Sequence, residues 1–270
     1  MKNVLAISGS DILAGGGLQA DLKTFEEYSL FGLNVITSIV TIQQNDFAIH
    51  PVALPVLEEQ LESIRQSAAL SGIKIGLIGS SAFLPLIRDF LDQLPPNVPV
   101  ILDPVLAFKE TAQQAQTAYI EALKTALFPR ATLITPNLKE AELLSGHPIR
   151  TIADMKEAAK ILKNFGPDVV IKGGGRIPGA LAIDLFWDGR KFREFSMPKL
   201  ASPCVNGAGC TFSSAILSNY ILHEDLPAAI ERSKRFVYDG IRHGVLLNET
   251  SGNVNQGGYR KEKQLNDQIA

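Results

Sequence analysis

Short apolar runs alternate along the whole chain with longer segments in which apolar residues recur at helical spacing. Residues 4–7 and 34–42 are apolar or β-branched almost throughout, which is typical of strands that a parallel sheet buries on both faces. Leu57, Leu61 and Ile64 instead repeat with the period of a helix that buries one side. The alternation predicts an α/β fold of three layers, with helices on both faces of a central, mainly parallel sheet.

The same patterns predict where the individual strands and helices lie. The predicted strands are residues 4–7, 34–42, 73–78, 98–102, 132–135, 169–173, 181–187 and 192–197. The predicted helices are residues 18–30, 54–70, 82–94, 119–127, 137–144, 152–164, 209–222 and 227–246. The last two strands flank Asp188-Gly189, a dipeptide that favours a hairpin turn. Because no repeat, linker or break in composition interrupts the pattern, we expect a single domain over residues 1–270.

Two segments have few apolar residues to anchor them. Residues 109–117 are rich in Gln, Ala and Thr, and we expect a mobile flap there. The tail from Asn248 onwards is polar and rich in glycine, which predicts a loosely held segment.

Composition narrows the expected partners and compartment. Hydrophobic residues make up 46% of the 270, and 28 acidic against 26 basic residues give a net charge of −2. Because like charges form no block, we expect no nucleic-acid and no membrane partner. Cys204 and Cys210 do not form the pattern of a secreted disulfide framework. With no signal-peptide pattern and no apolar run of membrane-spanning length, we expect a cytoplasmic protein.

Small residues open the helix predicted near residue 209, and a cysteine stands in its first turn. The segment reads Val205-Asn206-Gly207-Ala208-Gly209-Cys210-Thr211-Phe212. Unpaired N–H groups at a helix N-terminus bind anions, and the same field favours a thiolate at Cys210. Taken alone, the segment is as typical of tight helix packing around a small buried cysteine.

Two further groups of residues carry candidate chemistry near predicted strand ends. Asn137 and Glu140 share one helix face, where they either hold water around Mg²⁺ or form a helix N-cap. Lys172 precedes Gly173-Gly174-Gly175, where it either reaches a phosphate as a point charge or stands in a plain turn.

The N-terminal segment combines glycines with two aspartates. Gly9, Asp11, the glycines at 15–17 and Asp21 follow the first strand, and glycine allows close backbone approach to a flat ligand. The segment does not offer Gly-x-Gly-x-x-Gly at the usual register, so dinucleotide binding is disfavoured. His50, in a predicted loop, is either solvated or caps a ligand.

Taken together, these segments resemble the ribokinase-superfamily kinases that phosphorylate hydroxymethyl groups on small heteroaromatic rings. The resemblance is to the branch that holds the hydroxymethylpyrimidine (phosphate) kinases and the cysteine-type pyridoxal kinases. Seven segments in family order carry it: residues 6–11 (AISGSD), 17–25 (GLQADLKTF), 74–79 (KIGLIG), 103–105 (DPV), 135–141 (TPNLKEA), 172–174 (KGG) and 207–212 (GAGCTF). It implies a ribokinase-like fold and an ATP-dependent kinase.

The resemblance also implies roles for residues. The anion hole for the transferring phosphoryl group would be formed by Gly207, Ala208, Gly209 and Cys210. Cys210 would stand where most ribokinase-like enzymes carry an aspartate base, and in the pyridoxal kinases of this type the thiol is implied to add to the pyridoxal aldehyde. Asn137 and Glu140 would organise Mg²⁺ and its waters. The nucleotide-binding residues would be Asn137, Lys172, Gly173, Gly207 and Gly209. The substrate pocket would be lined by Gly9, Gly16, Asp21, Leu77, Val105 and Cys210, with His50 reaching over it.

The chain departs from the family pattern at three places. Gly16 replaces the usual alanine near the ring. The Gln or Glu with which the pyrimidine kinases read an amino group aligns near Ile42, ahead of Gln43 and Gln44. The second cysteine that some pyridoxal kinases carry in the flap is replaced by Phe108 or Lys109, so we expect no second covalent anchor.

These observations lead to one preferred function and two alternatives. Ile42 and His50 favour phosphorylation of pyridoxal, with pyridoxine and pyridoxamine as related substrates. The first alternative is a hydroxymethylpyrimidine or hydroxymethylpyrimidine phosphate kinase of thiamine biosynthesis, or one enzyme with both activities. The second is a non-catalytic relative that only binds a ring compound. The resemblance implies ATP, Mg²⁺ and a monovalent cation as cofactors, and a homodimer.

Overall fold

One sheet of nine strands organises the computed structural model, which describes residues 1–43, 46–106, 113–223 and 225–261. The strands are β1 (Asn3–Asp11), β2 (Phe31–Gln43), β3 (Asp46–Pro51), β4 (Gly72–Ile75), β5 (Val100–Leu102), β6 (Leu133–Ile134), β7 (Asp168–Lys172), β8 (Leu181–Trp187) and β9 (Phe192–Pro198). Their spatial order is β3-β2-β1-β4-β5-β6-β7-β8-β9. The six central strands, β2-β1-β4-β5-β6-β7, pair in parallel. Strand β3 at one edge and strands β8 and β9 at the other pair antiparallel. The predicted mainly parallel sheet is confirmed.

The helices lie between these strands along the chain. They are α1 (Gly17–Glu27), α2 (Leu54–Ser67), α3 (Leu84–Asp92), α4 (Gln113–Leu127), α5 (Leu138–Ser145), α6 (Ile152–Lys163), α7 (Ala208–His223) and α8 (Leu226–Arg242). A short antiparallel pair, β10 (Val245–Leu246) and β11 (Gly252–Asn253), follows α8. Among the described residues, no helix combines the length and the apolar content that crossing a bilayer requires.

Alternate residues of each strand feed two apolar clusters, one on each face of the sheet. Leu5 and Ile7 of β1 pack in the cluster that holds the buried residues of helices α2 to α6. Val4 and Ala6 pack on the other face, with helices α1, α7 and α8. Because side chains alternate along a strand, a strand buried on both faces must be apolar at nearly every position. This explains the continuous apolar runs in the sequence and confirms the three-layer α/β fold.

The edge strand β3 was not expected, and it corrects the placement of His50. The sequence predicts a loop there, but Asp46–Pro51 pairs with β2, and His50 stands opposite Ile39. The His50 side chain is exposed, and its Nε2 lies 3.1 Å from the Thr41 hydroxyl. Only Phe47, Ala48 and Ile49 are apolar in this edge strand, so the hydrophobic pattern is too short to distinguish it from a loop.

The C-terminal tail is also held more firmly than its composition suggests. Val254 and Gln256 are buried, and Gln256 Nε2 donates to the Thr211 hydroxyl at 3.0 Å. Asn253 Nδ2 donates to the Leu13 carbonyl at 2.8 Å. The expectation of a loose tail is wrong for the described part because these bonds join positions far apart in sequence. Of the expected flap at 109–117, residues 109–112 lie outside the described part, and 113–117 belong to α4.

A buried ion pair joins the sheet to two helices on one face. Lys74 of β4 donates to Asp21 of α1 at 2.8 Å, and both side chains are fully buried. Ser214 of α7 donates to the other Asp21 oxygen at 2.7 Å. Burial works to lower the pKa of Lys74, but the charges of Asp21, Cys210 and Asp103 hold it above its usual value. Lys74 therefore remains a cation beneath α1 and α7.

We expect Lys74→Met to lower the free energy of unfolding by about 3–5 kcal/mol, because it leaves Asp21 buried without its partner. Lys160→Met is the matched control, since Lys160 is half-exposed in its ion pair with Glu157 and should change stability by less than about 1 kcal/mol. Urea unfolding at neutral pH measures both. Equal losses in the two variants would contradict a structural role for the buried pair.

Candidate active site

The N-terminus of α7 forms one wall of the site. Gly207 has φ +82, and a Cβ there would lie 1.6 Å from the Gly15 carbonyl oxygen, so this position requires glycine. Thr211 donates the first intrahelical bond back to Gly207 at 2.8 Å, whereas the Ala208 amide donates to Val205 at 3.2 Å. The amides of Gly209 and Cys210 therefore stand ahead of the helical ladder, where an anion is favoured.

A lysine ammonium faces this helix end. Lys172 stands at the end of β7, and its Nζ donates to Asp103 Oδ1 at 2.6 Å. A Cβ on Gly209 would lie 3.2 Å from the same Nζ, so the ammonium lies in close contact with the start of α7. Burial works to raise the pKa of Asp103, but the charges of Lys172 and Lys74 hold it below its usual value. The Lys172–Asp103 pair is therefore ionised.

Asn137 and Glu140 form the helix cap that was one of two predicted alternatives. The Asn137 amide donates to Glu140 Oε2 at 2.8 Å, and the Glu140 amide donates to Asn137 Oδ1 at 3.0 Å. Burial raises the pKa of Glu140, although the charge of Lys172 opposes the shift. The capping box places a second carboxylate near Asp103 and Lys172.

These carboxylates fit a hydrated magnesium ion. Mg²⁺ takes oxygen ligands and keeps several of its waters, so it needs few protein groups. Burial and the charge of Asp103 raise the pKa of Glu140, and despite burial the charges of both carboxylates raise the pKa of Lys172, so the three groups lie close together. Within the described residues, no group of three His, Cys, Asp or Glu side chains could hold a metal, so an ion here would be bound largely through water.

A cavity of about 430 Å³ opens beside Lys172 and the start of α7. Lys172, the glycines at 173–175 and Gly209 line it together with charged side chains such as Lys234 and Asp184. Its apolar lining includes Leu138, Met197, Phe212, Val237 and Ile241. A cavity that combines cationic groups, flexible glycines and apolar side chains suits a nucleotide, whose phosphates and base need these two kinds of surface.

Asp184 fixes the glycine turn that follows β7. Its Oδ1 accepts from the Gly173 amide at 3.1 Å, and its Oδ2 accepts from Lys234 at 2.7 Å. A Cβ on Gly173 would lie 2.2 Å from the Ile183 carbonyl oxygen, so the turn packs directly against β8. Sequence analysis missed Asp184 and Lys234, because nothing in the local pattern of a hairpin strand or a helix marks them.

The N-terminal loop closes over Cys210. Asp11 Oδ2 accepts from the amides of Gly15 at 3.1 Å and Gly16 at 2.9 Å. The Gly17 amide donates to the Cys210 sulfur at 3.4 Å. A Cβ on Gly16 would lie 3.7 Å from that sulfur. The thiol thus lies between the glycine loop and the first turn of α7, as its place in the anion-hole segment suggests.

The expectation of a thiolate at Cys210 is wrong for this structure. Burial raises the pKa of Cys210 to about 11, and the nearby Asp21 and Asp103 raise it further. The charge of Lys74 and the Gly17 amide act in the opposite direction and are outweighed. The sequence shows the helix N-terminus, which favours a thiolate, but not the loop and the carboxylates that surround the sulfur.

The structure brings some of the remaining predicted pocket residues together. A Cβ on Gly9 would lie 2.8 Å from the Ser38 hydroxyl and 3.0 Å from Leu77 Cδ2, so Gly9 and Leu77 adjoin. Val105 is half-buried two residues after Asp103, beyond the end of β5. These substrate contacts stay predictions.

The hydrogen bonds of Asp21 and His50 are made to other residues. Asp21 is buried beneath α1 and α7, with both of its oxygens engaged by Lys74 and Ser214. His50 contacts Thr41 on the exposed hairpin of β2 and β3. Their roles toward a substrate likewise stay predictions.

Comparison with known proteins identifies the family. The profile of the phosphomethylpyrimidine kinase family matches residues 11–255. The chain belongs to this family. Relatives named for two different activities are similar to this chain over nearly their whole length. A hydroxymethylpyrimidine/phosphomethylpyrimidine kinase of Aquifex aeolicus is 34% identical over 244 residues, covering 90% of this chain and 95% of the relative. A pyridoxine kinase of Bacillus subtilis is 32% identical over 269 residues, covering 98% and 99%.

Solved structures of family members share the fold described above. Bacillus subtilis pyridoxal kinase in an ADP complex has a TM-score of 0.90 and 32% identity, covering 96% of this chain and 99% of its own. Staphylococcus aureus pyridoxal kinase with AMP-PCP and pyridoxal has a TM-score of 0.89 and 33% identity, covering 97% and 95%. A phosphomethylpyrimidine kinase of Clostridium difficile has a TM-score of 0.74 and 28% identity, covering 88% and 99%. The resemblance to a kinase family is confirmed, and the chain is a kinase of that family.

We expect alkylation of Cys210 by iodoacetamide to accelerate about tenfold per pH unit between about pH 7 and 10. The thiolate is the reactive form, and its fraction grows tenfold per unit below a pKa of about 11. Mass spectrometry of the peptide that contains Cys210 measures the rate, and a short unstructured cysteine peptide serves as control. A rate that levels off below about pH 8 would contradict the raised pKa.

Proposed function

We propose that the chain transfers the γ-phosphoryl group of ATP to the 5′-hydroxymethyl group of pyridoxal, forming pyridoxal 5′-phosphate. Pyridoxine and pyridoxamine are the related substrates of the same site. The proposal rests chiefly on the cavity that Lys172 and Gly209 line at the start of α7, because the Cys210 thiol stands in the first turn of the same helix. The TM-scores of 0.90 and 0.89 with pyridoxal kinases, against 0.74 with a phosphomethylpyrimidine kinase, favour this substrate.

The proposed reaction depends on neutralising charge around the phosphates. Phosphoryl transfer passes through a loose transition state in which positioning and electrostatic stabilisation dominate. The amides of Gly209 and Cys210 donate to the transferring group, and the Lys172 ammonium faces the same point. Donors fixed in a helix and a strand end need no reorganisation at the moment of transfer.

Magnesium supplies further neutralisation of the phosphates when it is bound. We propose that Asp103 and Glu140 hold it, largely through water, with Asn137 orienting Glu140 through the capping box. Thr135 donates to Asp103 at 3.3 Å and so restrains the carboxylate. The monovalent cation that the resemblance implies is not assigned to particular residues.

Cys210 is the proposed acceptor of the substrate hydroxyl proton. Because burial holds its pKa near 11, the thiol must first lose its own proton to solvent before the thiolate accepts the proton of the substrate hydroxyl. We therefore propose a turnover number that rises with pH. A small fraction of thiolate is compatible with turnover, because positioning and charge stabilisation dominate phosphoryl transfer.

We expect Cys210→Ala to lower kcat about 100-fold or more, the range of a lost general base, and to leave the affinity for ATP within twofold. The ATP cavity is lined by other residues, so binding should persist. Coupled ADP release measures turnover, and calorimetry measures ATP binding. Cys204→Ala is the matched control, because Cys204 packs against Gly244 and Gly252 instead. Full turnover in Cys210→Ala would exclude the base role.

The second candidate is phosphorylation of hydroxymethylpyrimidine or its phosphate. It is supported by the family profile and by the Aquifex aeolicus relative, which is named for that activity. Ile42 argues against this alternative, because it places an aliphatic side chain where the pyrimidine kinases usually bind an amino group. Gln43 and Gln44 follow Ile42; Gln43 ends β2, and Gln44 lies outside the described residues.

We expect kcat/KM for pyridoxal to exceed that for hydroxymethylpyrimidine, because the aliphatic Ile42 offers no hydrogen bond to an amino group. Side-by-side turnover of the two alcohols with ATP and Mg²⁺ gives the ratio. A tenfold preference for the pyrimidine would reverse the assignment. If neither alcohol consumes ATP, the chain is instead a non-catalytic binding relative.

Assembly and location are also part of the proposal. We propose a homodimer, on the resemblance alone, which light scattering of the purified protein tests. We propose the reducing cytoplasm as its compartment because both cysteines are free thiols and the mechanism needs Cys210 reduced.

A further inference from the structure

Three consecutive glycines follow β1, and two of them are required by the fold. Gly17 has φ +56, and a Cβ there would lie 2.2 Å from the Gly9 carbonyl oxygen. A Cβ on Gly15 would lie 2.8 Å from Asn253 Oδ1 and 3.2 Å from Asn206 Cβ. Gly17 therefore disfavours any larger residue because of its positive φ and its contact with Gly9, and Gly15 does so because of its contacts with Asn253 and Asn206.

Gly16 is free of both constraints. Its φ of −114 and ψ of −158 are extended values that any residue adopts. A Cβ there would have only Cys210 Sγ at 3.7 Å and Asp11 Oδ2 at 4.0 Å within reach. These are ordinary contact distances, so an alanine fits without strain. The backbone therefore does not require glycine at position 16, and the absence of a side chain there leaves a space beside the thiol.

The loop around this space is held in place. Asp11 accepts from the amides of Gly15 and Gly16, and the Gly17 amide donates to Cys210. From the other side, Asn253 donates to the Leu13 carbonyl. Because the loop is held by bonds on both sides, it cannot collapse to fill the space.

We propose that Gly16 determines acceptor specificity by leaving room beside Cys210 for the ring substituent next to the reacting hydroxymethyl group. The inference rests on the proposed function, which brings that hydroxymethyl group to Cys210. Substituents on adjacent ring atoms are neighbours, so the next substituent reaches the same region. A planar formyl or amino group lies in the ring plane. An aminomethyl or second hydroxymethyl group places an atom out of that plane and needs the extra room.

The test compares the unaltered protein with Gly16→Ala on four alcohols. Pyridoxine and pyridoxamine carry the tetrahedral substituent, whereas pyridoxal and hydroxymethylpyrimidine carry a planar one. We expect kcat/KM to fall about tenfold more for the first two than for the second two, the scale of one methyl in a shaped pocket. The same loss for all four alcohols, or no loss, would overturn the inference.

A second readout is independent of kinase activity. At one alkaline pH, we expect iodoacetamide to alkylate Cys210 at least threefold more slowly in Gly16→Ala, because the added methyl covers the sulfur. An unchanged rate would show that no space was filled and would also overturn the inference. The thermal midpoint of Gly16→Ala should equal that of the unaltered protein, whereas the midpoint of Gly17→Ala should be lower. Of the two glycines, only Gly17 has a positive φ.

Failure of the proposed function has a different signature. If the unaltered protein phosphorylates none of the four alcohols, the kinase assignment falls, and the specificity role of Gly16 falls with it. If it phosphorylates them with the same preferences in both forms, the kinase assignment stands and the inference about Gly16 alone fails.

Discussion

The buried pair between Lys74 and Asp21 is the contact on which the active-site face of the sheet depends. It joins β4 to α1, and Ser214 extends the bond to α7. An ion pair without access to water is costly unless its geometry is satisfied, so these three elements must keep one arrangement. That arrangement brings the first turn of α7 and its Cys210 under the loop that precedes α1. The anion site, the thiol and the glycine loop are therefore consequences of how two helices are anchored to one strand.

The rest of the site collects at the carboxyl ends of parallel strands. Asp103 follows β5, Asn137 follows β6, and Lys172 ends β7. In open α/β sheets this edge is where ligands bind, because the loops there are free to diverge while the strands hold their starting points fixed. The chain adds a second requirement, which is close backbone approach. Gly207 packs so closely against the Gly15 carbonyl that no side chain would fit there, and this holds the start of α7 against the glycine loop.

The environment of Cys210 shows two opposing effects on one thiol. A helix N-terminus and the Lys74 cation favour the thiolate, whereas burial and two carboxylates favour the thiol. Burial is the larger effect, so the sulfur stays protonated at neutral pH. In the proposed reaction, a neutral cysteine would also not repel the anionic nucleotide before transfer. Lys172 and Asp103 thus carry charge at this centre, whereas the thiol is neutral.

The sequence by itself determined the three-layer fold, the glycine-rich start of α7 at 207–210 and the kinase family, because these follow from periodic burial and from residues close together in the chain. It could not determine the edge strand that holds His50, the packed tail beyond Asn248 or the protonation of Cys210. Each of these depends on contacts between residues far apart in sequence. The same is true of Gly16, because only the distances across the folded loop distinguish a glycine that the backbone needs from one that leaves open space beside the Cys210 thiol.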